Sequence, residues 1–132
     1  MTEPVQPEVD PATFARLDEN PDIEAIQSPS PSFTELSFNM CPRSICPDAR
    51  YNPAVQDRTV RQAIAYATDR ERINQIAFRG TSVPGHGLLP SYYKDFYTEP
   101  EGDLDYPYDP DRASEMLEAA GWVEGEGGVR EK

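Results

Sequence analysis

Cys41, Cys46 and His86 are the side chains of this sequence best suited to covalent or metal chemistry, and their spacing does not add up to a site. The cysteines stand in Asn-Met-Cys-Pro-Arg-Ser-Ile-Cys-Pro-Asp, where two prolines and a short loop hold them close. A local disulfide is the leading reading and two free thiols the alternative. Zinc needs about four donors in a tetrahedron, and the pair plus one histidine roughly forty residues further on leaves the shell short. Closing so small a loop contributes on the order of 2 kcal/mol, so its task is to pin the chain between neighbouring elements. The carboxylates are abundant but scattered. Asp103 with Asp105, and Glu99 with Glu101, lie in a charged loop and read more simply as solvated than as a tuned general acid and base. There is no Ser-His-Asp wording, no nucleophile elbow and no glycine loop leading into Lys-Ser or Lys-Thr. Neither catalysis nor a cofactor is expected.

The elements that must position these residues are best marked between Asn52 and Gly80. Asp57 can cap a helix over 57–68, in which Val60, Ala63, Ile64 and Ala67 fall at the spacing of one buried stripe. Asp69 caps a second, over 69–79, with Ile73, Ile76 and Ala77 as its expected buried side and Gly80 as its stop. Arg58, Arg61, Arg70, Glu71 and Arg72 are expected to face water. A third helix over 109–120 has Asp109 as cap, Pro110 at its first position, and Ala113, Met116, Leu117 and Ala120 as its stripe. Gly121 closes it, and Trp122 reads as a hydrophobic contact beyond a glycine cap rather than as a ligand platform. Nearer the start, Asp10 and Pro11 open a short helix over 10–19 carrying Phe14 and Leu17. Alternating residues then predict strands over 22–27 and 33–39, paired antiparallel across Ser28–Ser32. The tract from Thr81 to Pro107 has no regular pattern, and loops that long usually serve function. The tail over 123–132 is polar and glycine-rich and is expected to fray.

Charge excludes several partners. There are 24 acidic and 12 basic residues, a net charge of -12, and the only lysines are Lys94 and Lys132. Such a surface repels phosphate, which disfavours nucleic acid and docking on anionic membrane. The acidic face suits high salt as well as ordinary solvation. No apolar run approaches the roughly 18 to 20 residues that span a bilayer, and the opening MTEPVQPEVDP lacks the basic and apolar regions of a signal peptide.

Three blocks carry a resemblance. They are the strand wording Leu36-Ser37-Phe38-Asn39, the helix pair D-R-T-V-R-Q-A-I-A-Y-A-T-D-R-E-R-I followed by a glycine-rich loop, and Tyr108 to Ala113 with Ala120 to Trp122. In this order they resemble the extracytoplasmic solute-binding proteins of peptide and nickel ABC importers, solute-binding protein family 5. The resemblance implies an α/β fold, here a partial lobe of a type II periplasmic-binding-protein-like fold with a short antiparallel strand pair and about four helices. At 132 residues the chain is too short for two lobes and a hinge, so residues 1–132 are expected to be the first part of the second lobe.

The resemblance further implies capture of an oligopeptide or other small solute and its delivery to an ABC permease. The setting would be periplasmic or extracellular, with the full-length parent tethered to the membrane. The loop from Gly80 to Ser91 is then the place to look for ligand contacts. His86 can hydrogen-bond a carboxylate, Gly87 and Leu88 bring backbone close, and Tyr92 offers an aromatic wall. An exposed, idle His86 is the plainer alternative. Strand edges and apolar patches left uncovered in a fragment favour self-association, so a homodimer is expected. A stand-alone acidic interaction module is the rival reading. The ligand itself, whether peptide, nickel chelate or oligosaccharide, stays open.

Overall fold

The computed structural model describes residues 9–26, 31–47 and 52–132. Four α-helices are present among them: α1 (Pro11–Asp18), α2 (Arg58–Ala67), α3 (Arg70–Ala77) and α4 (Pro110–Ala119). Each begins at an aspartate. The carboxylates of Asp10, Asp57, Asp69 and Asp109 accept hydrogen bonds from first-turn amides that would otherwise have no partner, as in Asp69 Oδ1 with the Arg72 N–H at 2.8 Å. Short 3₁₀ turns occupy Pro53–Gln56, Ser91–Phe96, Gly102–Leu104 and Glu126–Gly128.

The core is the contact between α2 and α4. Ala63 and Ala113, 1% and 4% exposed, bring the two helices close because neither side chain extends beyond a methyl group. Tyr66 closes the layer, with Tyr106, Met116 and Leu117 packed around it. The Tyr106 ring meets Tyr66 edge-on at 5.2 Å, and the Arg112 guanidinium lies 4.7 Å over the Tyr66 ring. The Asp109 amide donates to the Tyr66 carbonyl at 2.8 Å, so the cap of α4 also consumes an orphan carbonyl at the end of α2.

Beyond α4, Gly121 takes φ +85°, where a Cβ would be strained. Its amide bonds the Glu118 carbonyl and that of Trp122 the Leu117 carbonyl, the paired bonds of a Schellman close. The Trp122 indole N–H then donates to Asp57 Oδ2 at 3.1 Å, locking the end of α4 to the cap of α2. Lys132 Nζ reaches the same oxygen at 3.3 Å. Indole, Thr59 amide and ammonium all favour the carboxylate, holding its pKa at about 2, below the ordinary 3.8.

Four sequence expectations are corrected here. The strands expected over 22–27 and 33–39 do not form a ladder among the described residues; Gln27 lies outside them. Alternation specifies a strand only where an apolar face can be buried, and Phe33, Leu36 and Met40 remain exposed. The antiparallel pair is instead β1 (Val123–Glu124) with β2 (Arg130–Glu131), built from the tail expected to fray. Arg130 holds that hairpin down, bonding the Trp122 carbonyl at 2.9 Å, the Ser114 hydroxyl and Glu118. The face of α3 is also reversed: Ile73 and Ile76 are exposed and Asn74 is buried. Finally, Arg61 and Arg70 are anchored rather than solvated, Arg61 on the Val55 and Gln56 carbonyls and Arg70 on the Tyr106 carbonyl.

Two outcomes follow from this packing. Tyr66→Ala should remove about 3 kcal/mol of unfolding free energy in urea denaturation, whereas Ile76→Ala in this chain should stay within about 0.5 kcal/mol. Asp57 has a folded pKa below its unfolded one, so its contribution is present above about pH 4 and is lost as pH falls toward 2. Asp57→Asn should therefore lower the urea midpoint at about pH 7, and the gap to the unaltered protein should narrow between about pH 4 and 2, read by far-ultraviolet circular dichroism.

Candidate functional site

A cleft lies where the α2–α3 junction faces two loops. Thr68, Asp69, Arg70 and Glu71 form one side, and Pro84, His86, Pro107 and Tyr108 the other, around a volume of about 160 Å³. The junction is fixed by Thr68, whose hydroxyl donates to the Ile64 carbonyl at 2.6 Å, and by the Asp69 cap. Arg70 is held from behind, its Nη2 donating to the Tyr106 carbonyl at 2.6 Å. That bond also positions Pro107 and Tyr108, the next residues along, which arrive at the cleft as the chain turns into α4.

His86 stands beside a carboxylate. Its Nδ1 is 3.3 Å from Asp105 Oδ1, with the two side chains 29% and 38% exposed. That oxygen is itself buried and accepts no directed hydrogen bond, so the pair is a close approach of opposite polarity rather than a well-aimed bond. The cleft thus combines guanidinium, imidazole, carboxylates, a phenol and two proline faces, a set that offers donors, acceptors and apolar wall without a nucleophile hydrogen-bonded to a base.

The four residues nominated as ligand contacts are separated by the structure. His86 lines the cleft. Gly87 and Leu88 do not; both are exposed, and Leu88 leaves 70% of its surface open. Tyr92 is also outside the cleft, packed edge-on against Tyr93 at 5.4 Å. Arg70 and Tyr108 were missed as site residues. Arg70 sits among four other charged residues assigned to solvent, and its carbonyl partner is 36 positions away, beyond any local pattern.

Cys41 and Cys46 are joined by a disulfide with Cα atoms 6.0 Å apart. Asn39 anchors the approach to it, its Oδ1 accepting from the Cys41 amide and its carbonyl from Gln56 Nε2, which ties the loop to the turn before α2. Among the described residues no group of three His, Cys, Asp or Glu side chains could hold a metal ion, and no helix is long and apolar enough to cross a membrane.

The described residues thus form a small α/β frame with a partly formed polar cleft. Residues 5–132 match the family of bacterial extracellular solute-binding proteins, family 5, in its middle region, and the chain belongs to that family. It is similar to the dipeptide-binding protein of Escherichia coli strain K12, 27% identical over 121 residues that make up 92% of this chain and 20% of that protein. The glutathione-binding protein GsiB of Salmonella typhimurium is 32% identical over 113 residues, 84% of this chain and 19% of its own length. GsiB of Shigella flexneri is 31% identical over 109 residues, 83% of this chain and 19% of that protein. The chain therefore spans about one fifth of the length of these relatives. A homodimer finds no support in these comparisons.

Proposed function

We propose that this chain is part of the second lobe of a substrate-binding component of an ABC importer, one that captures peptide-like solutes outside the cytoplasmic membrane and passes them to a permease. The observation that carries this reading is the family match over residues 5–132. The relatives' names, one binding dipeptides and the others glutathione, favour short peptide-like ligands with charged ends.

The cleft supports the reading through its chemistry. Sites that bury a small organic ligand hold roughly 300–1,000 Å³, and about 160 Å³ is too little to enclose even a dipeptide. It is large enough to be one wall. A second lobe closing over it through a hinge supplies the other wall and the exclusion of water. Arg70 and His86 suit a carboxylate, while Asp69 and Glu71 suit an ammonium, and Tyr108 with the two prolines takes apolar side chains. No bond of the ligand is made or broken in this role. Export and a membrane tether belong to the same proposal, because a binding protein must stay near its permease on the outer face.

Isothermal titration decides it. A protein of the relatives' length carrying this segment should bind a dipeptide, an oligopeptide or glutathione with a dissociation constant on the order of 1 μM or tighter, and return the ligand intact by mass spectrometry. The 132-residue chain alone should bind at least about a hundredfold more weakly, having one wall of the site. Failure of the longer protein to bind any of these, or cleavage of the peptide, would reject the proposal.

A further inference from the structure

The geometry points to Asn74 as a positioning residue for the cleft: its buried side-chain amide clamps Ser82 and so fixes where the following loop delivers Pro84 and His86. This inference rests on the reading of that cleft as a ligand wall.

Asn74 is 7% exposed, the one buried polar side chain among the described residues. Its Nδ2 donates to the Ser82 carbonyl at 2.8 Å and its Oδ1 accepts from the Ser82 amide at 3.1 Å. Both polar groups of one backbone residue are thus held by one side chain, the two-point pairing that a neighbouring strand would supply. The main chain of Asn74 works at the same place. Its carbonyl accepts from the amides of Phe78 and Gly80 at 3.0 and 3.1 Å, ending α3, while Arg79 and Gly80 turn the chain back at φ +52° and +77°.

A buried amide is an expensive choice for a helix face, since its groups cost free energy unless every one is paired. An apolar residue would pack the same space without fixing a partner. The amide instead selects one register of the returning loop. His86 lies four residues past Ser82, within a reach on the order of 14 Å, and Pro84 between them has a fixed φ. Arg70 and Asn74 are one helical turn apart and therefore share a face of α3, so the same face carries a cleft wall and the clamp for the opposite wall. This also accounts for the reversal of α3: the polar position is turned inward, leaving Ile73 and Ile76 outside.

The molecule contains one histidine and one tryptophan, which makes each a unique nuclear magnetic resonance probe. In Asn74→Ala, the Ser82 amide should exchange with solvent on the order of tenfold faster, and the His86 ring signal should shift or broaden. The Trp122 indole N–H signal, set by Asp57 on the far side of the core, should stay in place. An unmoved His86 in a folded variant overturns the inference. Should Asn74→Ala disturb both probes, Asn74→Leu decides, because it refills the space left by alanine and removes both bonds to Ser82 without adding a charge: selective movement of His86 supports the role, and joint loss assigns Asn74 to the fold at large and rejects it. Ligand affinity in the longer protein separates two failures. Unchanged affinity with a displaced His86 rejects the cleft as the ligand wall, whereas an unmoved His86 rejects Asn74 as its positioner.

Discussion

Everything else in this structure hangs on two methyl groups, those of Ala63 and Ala113. Their smallness lets α2 and α4 approach closely enough for Tyr66, Tyr106, Met116 and Leu117 to seal the sides. Few apolar residues are buried among the described residues, so the packing there cannot by itself offset the entropy of ordering them. The ends of the helix pair are therefore tied by polar contacts as well. Asp57 is capped into α2 while holding Trp122 and Lys132, and Asp109 starts α4 while bonding the last turn of α2. One carboxylate serves as helix cap, indole acceptor and ion-pair partner, which is why its proton is bound so weakly.

The cleft is assembled outward from that pair. Tyr106 contributes its ring to the core, its hydroxyl to Gln62 and its carbonyl to Arg70, so the same residue that packs the helices also sets the arginine of the cleft. Tyr108 follows two positions later. On the other side, Asn74 passes the orientation of α3 to the loop carrying His86. The cleft thus sets the start of α3 against two loops, and each loop is held at one point by a group belonging to that helix.

Where the sequence could be read, a local rule was strong. Asp with a following Pro marks the starts of α1 and α4, Asp57 and Asp69 mark α2 and α3, and Gly121 marks the end of α4, because capping chemistry is decided within three or four residues. The stripe Ala113, Met116, Leu117 was legible for the same reason. Where the outcome depends on distant surface, local pattern misled. The alternation at 33–39 found no sheet to join, and the apolar spacing of Ile73, Ile76 and Ala77 was outweighed by two hydrogen bonds that only a folded-back Ser82 can provide. The polar, glycine-rich tail carries no local signal for order, yet Arg130 pins it to the end of α4 and Lys132 to the cap of α2. In the candidate site, His86 could be singled out as a lone titratable group in a glycine-rich loop, but Arg70, Tyr108 and Asp105 converge only through folding.

As a member of the extracellular solute-binding family, the segment supplies a rigid frame with a shallow polar face, and a frame is only as reliable as its central contact. Enlarging that contact is the most direct test. Ala63→Leu should cost about 1–3 kcal/mol in urea unfolding and should also shift the Trp122 indole signal, because α4 cannot move away from α2 without pulling its capping tryptophan from Asp57. Unchanged stability with an unmoved indole signal would contradict the account, since it would mean that the two helices never met at Ala63.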